Sequence, residues 1–253
     1  MNSLNEKNQK EHYNKFFDKE FIRNYQNKGS SLLKQNLVQK YYKNYKKNYK
    51  NVCEIGCGIG SLSNQLKPNY ETFVGIDIST KALNLARKLH EAKTVKFINT
   101  NLCTTKSEMT ERFDTIILNG SLHHMPLTKT FFYNLNKISR RNAIFIFVEP
   151  HNKNFLINLL RNIRKKIDRS YTEDQVFFDP ENFKNILRKN GLKVIKEKYY
   201  GFVVPPFAEV PFNPQLLGLL LAKIILFVES VLNLIMLGKL KKLTWLFGIY
   251  CKK

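Results

Sequence analysis

An α/β fold is what this chain predicts: a mostly parallel, Rossmann-like sheet with helices on both faces. Three observations carry that reading. Five short apolar segments alternate with helical stretches across roughly 100 residues, the pattern of a parallel sheet covered on both sides. A glycine turn follows the first segment, where Gly56, Gly58 and Gly60 stand among only 11 glycines in 253 residues. A carboxylate, Asp77, ends the second segment, 21 positions after the first of those glycines.

In chain order, residues 52–55 (V-C-E-I) make the first strand and residues 61–67 the helix behind the glycines. Strand, glycine turn and helix are how such a fold opens a cofactor site. Glycine lets the backbone approach a ligand with no Cβ between them, and helix N-terminal amides favour negative groups. The spacing is G-x-G-x-G, tighter than the G-x-G-x-x-G that cradles a dinucleotide. Residues 72–76 are the second strand, and Asp77 stands about 20 residues on, where such folds place a ribose-binding acid. One carboxylate suits two ribose hydroxyls. Ser79 is the better N-cap for the helix over 79–90. Residues 95–99 are the third strand, leading into Asn101 and Leu102. Residues 113–118 are the fourth, followed by N-G-S-L-H-H-M-P, which runs from Asn119 through His123 and His124. The fifth, 143–148, ends in Glu149, Pro150 and His151.

Glu54 with its three glycines, Asp77 and the S-L-H-H-M stretch together resemble the class I S-adenosylmethionine (SAM)-dependent methyltransferases. The resemblance covers roughly residues 40–200 and is to the small-molecule branch called methyltransferase type 11. It implies a seven-stranded sheet whose last strand, at 243–251, runs antiparallel between the fifth and the sixth, at 192–200. It also implies that SAM is the cofactor and that Glu54, Gly56, Gly58 and Gly60 line its methionine end. Asp77 and Ile78 would hold the ribose and adenine edge, Asn101 and Leu102 the adenine, with Asn119 bordering the same site. The family usually has an aspartate near Asn101, and an asparagine carbonyl can accept the same hydrogen bond. For an oxygen acceptor the base would be His124 or His123, with His124 ranked first because the second histidine of such pairs tends to begin the loop bordering the acceptor. Enzymes that methylate the adenine amine carry an N-P-P-Y-like sequence after strand four, and this chain does not. A nicotinamide dehydrogenase would need the wider glycine spacing. The alternatives to a small-molecule or lipid-linked acceptor are RNA methylation and a catalytically weak SAM-binding partner subunit.

The flanks bear on the acceptor. Residues 1–50 are expected to form an N-terminal helical cap on a domain over 51–253, with an aromatic stripe of helical period within 5–28. Residues 152–169 read as a basic helix. Residues 180–190 read as one capped by Asp179 and closed by Gly191. Between the sixth and seventh strands, 214–238 reads as an amphipathic helix whose apolar run, 215–237, is long enough to cross a bilayer. Lys223 and Glu229 interrupt it, and a single crossing would part the seventh strand from its sheet. Its broad apolar face would then lie against the protein's own fold, a dimer partner or a membrane surface.

The formal charge is +22, from 42 basic and 20 acidic residues. Lysine, asparagine, isoleucine, phenylalanine and tyrosine, the residues of A/T-rich codons, are all abundant, so the charge is read mainly as solvated surface. Nucleic acid is thereby disfavoured as a partner. The densest basic run, 40–50 (K-Y-Y-K-N-Y-K-K-N-Y-K), is expected as a surface helix, with an anionic membrane or phosphate-bearing substrate and then RNA as alternatives. The four cysteines have no metal-ligand spacing, so no metal is expected. The first ten residues hold no apolar signal run, which leads to the expectation of a reducing cytoplasm, with peripheral contact on the cytoplasmic membrane face.

Overall fold

The computed structural model of the chain describes residues 27–104, 108–109, 112–150, 152, 178–208, 210, 212–235, 240 and 243–253. The aromatic stripe within 5–28 (but for its last two residues) and the basic helix expected at 152–169 lie outside the described residues. Seven strands form one sheet in the order β3-β2-β1-β4-β5-β7-β6. β1 (Tyr49–Ile55) pairs in parallel with β2 (Tyr70–Asp77) and with β4 (Phe113–Asn119). β3 (Val95–Asn99) extends the sheet beyond β2, and β5 (Ser139–Pro150) beyond β4, both in parallel. β7 (Leu246–Lys252) runs antiparallel between β5 and β6 (Lys193–Tyr200). The mostly parallel sheet with an antiparallel last strand is the architecture the sequence implies.

β1 lies inside the sheet, between β2 and β4, and its last four residues, Val52, Cys53, Glu54 and Ile55, are all buried. Apolar side chains on both faces are what a parallel strand between two neighbours requires. On one face Val52 and Ile117 pack with Leu62 of α2 (Ser61–Leu66) and Leu83 of α3 (Thr80–His90), together with Tyr42. On the other, Cys53 and Phe145 pack with Phe131 of α4 (Lys129–Ile138) and with Phe183 and Leu187 of α5 (Pro180–Lys189). The helix starts follow their capping residues. Ser79 Oγ accepts from Ala82 N at 3.2 Å, and Asp179 Oδ1 from the amides of Glu181 and Asn182. All four cysteines are buried.

The basic run at 40–50 is not a solvated helix. α1 (Lys28–Val38) continues into a wide turn, Gln39–Lys43, and β1 has begun by Tyr49, ahead of the boundary expected at 51. Tyr41, Tyr42 and Tyr49 are buried, while Asn44, Lys47, Asn48 and Lys50 are exposed. Their hydroxyls are used inside the protein. Tyr41 Oη lies 3.0 Å from the carbonyl of Tyr200 and 3.1 Å from that of Leu246, and Tyr49 Oη donates to Tyr42 O at 2.9 Å. Tyr250 Oη donates in turn to Tyr41 O at 2.6 Å. The tyrosines fasten the α1 segment to β1, β6 and β7.

After α6 (Val204–Ala208) comes α7 (Gln215–Ile235), which lies against α1. The two helices touch through backbone, since a Cβ at Gly29 would lie 2.7 Å from the carbonyl oxygen of Gly218. Few residues of α7 are buried, and one of them is an acid. Glu229 is 0% exposed and accepts from the amides of Phe202, Val203 and Val204 at 2.9–3.1 Å, while Gly218 and Ala222 complete the buried stripe.

Tyr41→Phe removes a buried hydroxyl from two carbonyls while keeping the ring. It should destabilise the protein by about 1–2 kcal/mol in denaturant unfolding, with the m-value unchanged.

Candidate active site

The C-terminal ends of β1, β2 and β4 meet at the glycine turn. Gly56, Gly58 and Gly60 have φ of 74°, 51° and 75°, the left-handed region that favours glycine. At Gly56 the constraint is steric as well, for a Cβ there would sit 2.4 Å from that of Ser121. The turn is pinned to β2: Gly56 N donates to Ile76 O at 2.8 Å, and Gly58 N to Asp77 Oδ2 at 2.8 Å. The other carboxylate oxygen of Asp77 accepts from Ser79 N, also at 2.8 Å. Burial pushes the Asp77 carboxyl up, and the amides of Ser79, Gly58 and Ile78 pull it back down.

A cavity of about 440 Å³ opens beside this turn. Glu54, Gly56, Gly58, Ile59 and Asn119 line it from the sheet, and Lys34, Tyr42 and Pro205 from the segments packed over it. Glu54 is buried, and its Oε2 has no hydrogen-bond partner among the described residues. Burial, together with the nearby Asp77 carboxylate, holds the Glu54 carboxyl well above the usual carboxylate range. Tyr42 Oη donates to Asn119 Oδ1 at 2.9 Å and so ties the wall from α1 to the end of β4.

Among the described residues, Gly60, Asp77, Ile78, Asn101 and Leu102 do not line this cavity, and neither do His123 and His124. Gly60 packs against the ring of Phe97, where a Cβ would lie 2.6 Å away. Asn101 Oδ1 accepts from Cys103 N at 2.8 Å, and the Leu102 side chain belongs to the core on the α4 face. Ile78, Asn101 and Leu102 follow β2 and β3, further along the edge that starts at Glu54, so the cavity corresponds to one end of the expected site. Lys34 and Tyr42 escaped the sequence reading. The signal for Tyr42 was the clustering of tyrosines just ahead of the first strand; Lys34 carried none.

A second cluster sits where β4 and β5 end. Glu149, the next-to-last residue of β5, is 0% exposed. Its Oε1 accepts from the amides of Ser121 at 3.1 Å and Leu122 at 2.8 Å, and its Oε2 lies 2.7 Å from His123 Nδ1. Oε1 is taken by two N–H donors and a carboxylate offers only acceptors, so Nδ1 carries the proton between them. Ser121 Oγ donates to Ile55 O at 2.8 Å, which joins this cluster to the glycine turn. The His124 ring stacks at a tilt on that of His123, with centroids 3.9 Å apart.

Residues 46–191 match the family model described as a methyltransferase domain, more than half of the chain. The chain belongs to that family. Two curated relatives are ubiquinone biosynthesis O-methyltransferases, from Nitrosomonas europaea and Colwellia psychrerythraea. The first is 26% identical over 63% of this chain and 69% of its own length, the second 25% over 57% and 61%. Among solved structures the fold is shared with magnesium protoporphyrin IX methyltransferase from Synechocystis PCC 6803 with bound S-adenosylhomocysteine (SAH). Its TM-score is 0.54 and its identity 16%, over 88% of this chain and 84% of that one. The protein is a SAM-dependent methyltransferase, and its own residues fit that cofactor. The partnerless Glu54 oxygen in the cavity wall suits the ammonium at the methionine end, the glycine turn leaves room for close backbone approach, and Asp77 retains acceptor capacity for ribose.

Two outcomes follow for this methyltransferase. Asp77→Ala should weaken SAM binding by about 1.5 kcal/mol or more in calorimetry, with circular dichroism checking that the protein is still folded. A cation beside Glu54 favours its ionised form, so SAM binding should release a proton and strengthen as pH rises above the ordinary carboxylate range toward Glu54's raised value. Calorimetry in buffers of different ionisation enthalpy would detect that proton, and Glu54→Gln should abolish it.

Proposed function

We propose that this enzyme methylates a hydroxyl oxygen on a small, lipid-like acceptor, with His123 as the base and Glu149 as its positioning residue. The observation that carries the reading is the 2.7 Å contact between His123 Nδ1 and a fully buried carboxylate at the end of β5. The sequence alone ranks His124 first, and what favours His123 is that Glu149 fixes its tautomer. The names of the two curated relatives, both O-methyltransferases of ubiquinone biosynthesis, support an oxygen acceptor of that kind. Burial of Tyr41, Tyr42 and Tyr49 removes the aromatic half of the run that suggested RNA.

Bound SAM supplies an electrophilic methyl group on a sulfonium sulfur. The chain's own part is to position, to desolvate and to move one proton. Nε2 of His123 takes the hydroxyl proton as the oxygen becomes nucleophilic, and the imidazolium so formed is stabilised through Nδ1–H by Glu149. Glu149 also holds the amides of Ser121 and Leu122, so one carboxylate sets both the loop and the ring. Most of the acceleration comes from holding the acceptor at attack distance.

His123→Gln should lower turnover about 10²-fold or more without changing SAM affinity. Glu149→Gln keeps the shape and the acceptor for the two amides but presents N–H to Nδ1, which forces the proton onto Nε2. It should cost a similar factor, and the double variant should be no slower than His123→Gln alone. The assay is conversion of SAM to SAH over a panel of hydroxylated aromatics with and without isoprenoid tails, with products located by mass spectrometry. Near-normal rates in both single variants, or methyl found on nitrogen, would rule out this assignment.

A further inference from the structure

α7 buries only Gly218, Ala222 and Glu229, with Ile225 and Leu226 packed partly against the core. Its acid points inward and many of its large apolar side chains point to solvent: Leu216 is 82% exposed, Phe227 70%, Leu234 73% and Ile235 71%. At 100° per residue these fall with Leu220, Ile224 and the other exposed apolar residues of the helix within an arc of about 140°. Monomeric proteins seldom leave such a patch in water, and one rimmed by polar groups marks an interaction surface. The helix is held in this orientation rather than being loosely placed. The carboxylate of Glu229 is fastened to three consecutive amides, and Gly218 lies in backbone contact with α1. β7 follows in the same sheet as the strands before α7, so the helix cannot cross a membrane while the sheet is intact.

We infer that this face of α7 seats on an anionic bilayer surface, lying in its plane with the apolar arc in the acyl boundary. Charge complementarity selects this occupant. The only acid on α7 is the buried Glu229, Lys223 sits at the edge of the arc, and the sequence places Lys239, Lys241 and Lys242 directly after the helix. α1, packed beside α7, carries Lys28 at its start and no acid, in a chain of net charge +22. An apolar helical face bordered by lysines, on a strongly basic protein, is the composition of an interfacial helix on anionic lipid. α6 connects this surface to the active site, with Pro205 and Ala208 in the cavity wall and Phe207 exposed. An acceptor dissolved in the bilayer would thus meet the cavity at its membrane side. That last point rests on the proposed function, whereas the docking does not.

The full chain should sediment with vesicles containing phosphatidylglycerol, bind vesicles of phosphatidylcholine alone more weakly, and be released by salt. Leu220→Ser with Phe227→Ser should lower vesicle partition about tenfold or more. The same variant should bind SAM as the wild type does, which shows that it is folded. Phe227→Trp should gain fluorescence quenching by brominated acyl chains over the background of the single native tryptophan, Trp245. A protein that stays in the supernatant at low salt overturns the inference. So does a dimer that the paired serine variant dissociates while neither form binds vesicles, because the face would then belong to a second copy. Full-rate methylation of a water-soluble acceptor without vesicles would count against the lipid-like acceptor and leave the docking standing.

Discussion

No side chain fits at position 56, and the arrangement of the active site follows from that. β1 and β4 are parallel neighbours, so the chains leaving their C-terminal ends compete for the same space. The absent Cβ of Gly56 lets Ser121 lean in until its hydroxyl reaches the Ile55 carbonyl. With Ser121 there, its amide and that of Leu122 face the end of β5, where the carboxylate of Glu149 receives both. His123 follows one residue later and takes the remaining oxygen. The cofactor turn and the imidazole thus share a support, and a larger residue at 56 would displace both.

The basic surface and the tyrosine-rich composition have separate physical roles. Phenol groups are enclosed between α1 and the sheet, each with a backbone carbonyl or an amide oxygen as partner, so their burial leaves no hydroxyl of Tyr41, Tyr42 or Tyr49 unsatisfied. Lysines interleaved with them turn outward. A run that looks like one feature in the sequence is two in the structure, a structural clamp and a charged rim.

What was legible in the sequence is what depends on local spacing. Glu54, Gly56, Gly58 and Asp77 converge because a strand, a tight turn and a helix allow few other arrangements, and Ser79 and Asp179 cap as their positions require. The unreadable parts depend on pairings between distant segments. His123 and Glu149 are 26 residues apart, and their contact is fixed by the register of β4 on β5. Glu229 finds its amides 25–27 residues upstream. The polar stripe on α7 was visible in the sequence, but a stripe alone does not say which side faces the protein. Here one carboxylate, bound to three backbone donors, turns inward beside small residues and leaves a broad apolar arc exposed.

The position of β7 sets an order of assembly during synthesis. It is the last of the seven strands to leave the ribosome, yet it belongs in the interior of the sheet between β5 and β6. Until it arrives, β5 presents an open edge and β6 has no strand to pair with, the kind of unpaired edge that recruits other chains. α7 emerges in that interval, ahead of the strand that completes the sheet. The nascent chain therefore displays its most apolar helix while the domain is still open, and the helix has the opportunity to meet a surface before the fold around it closes.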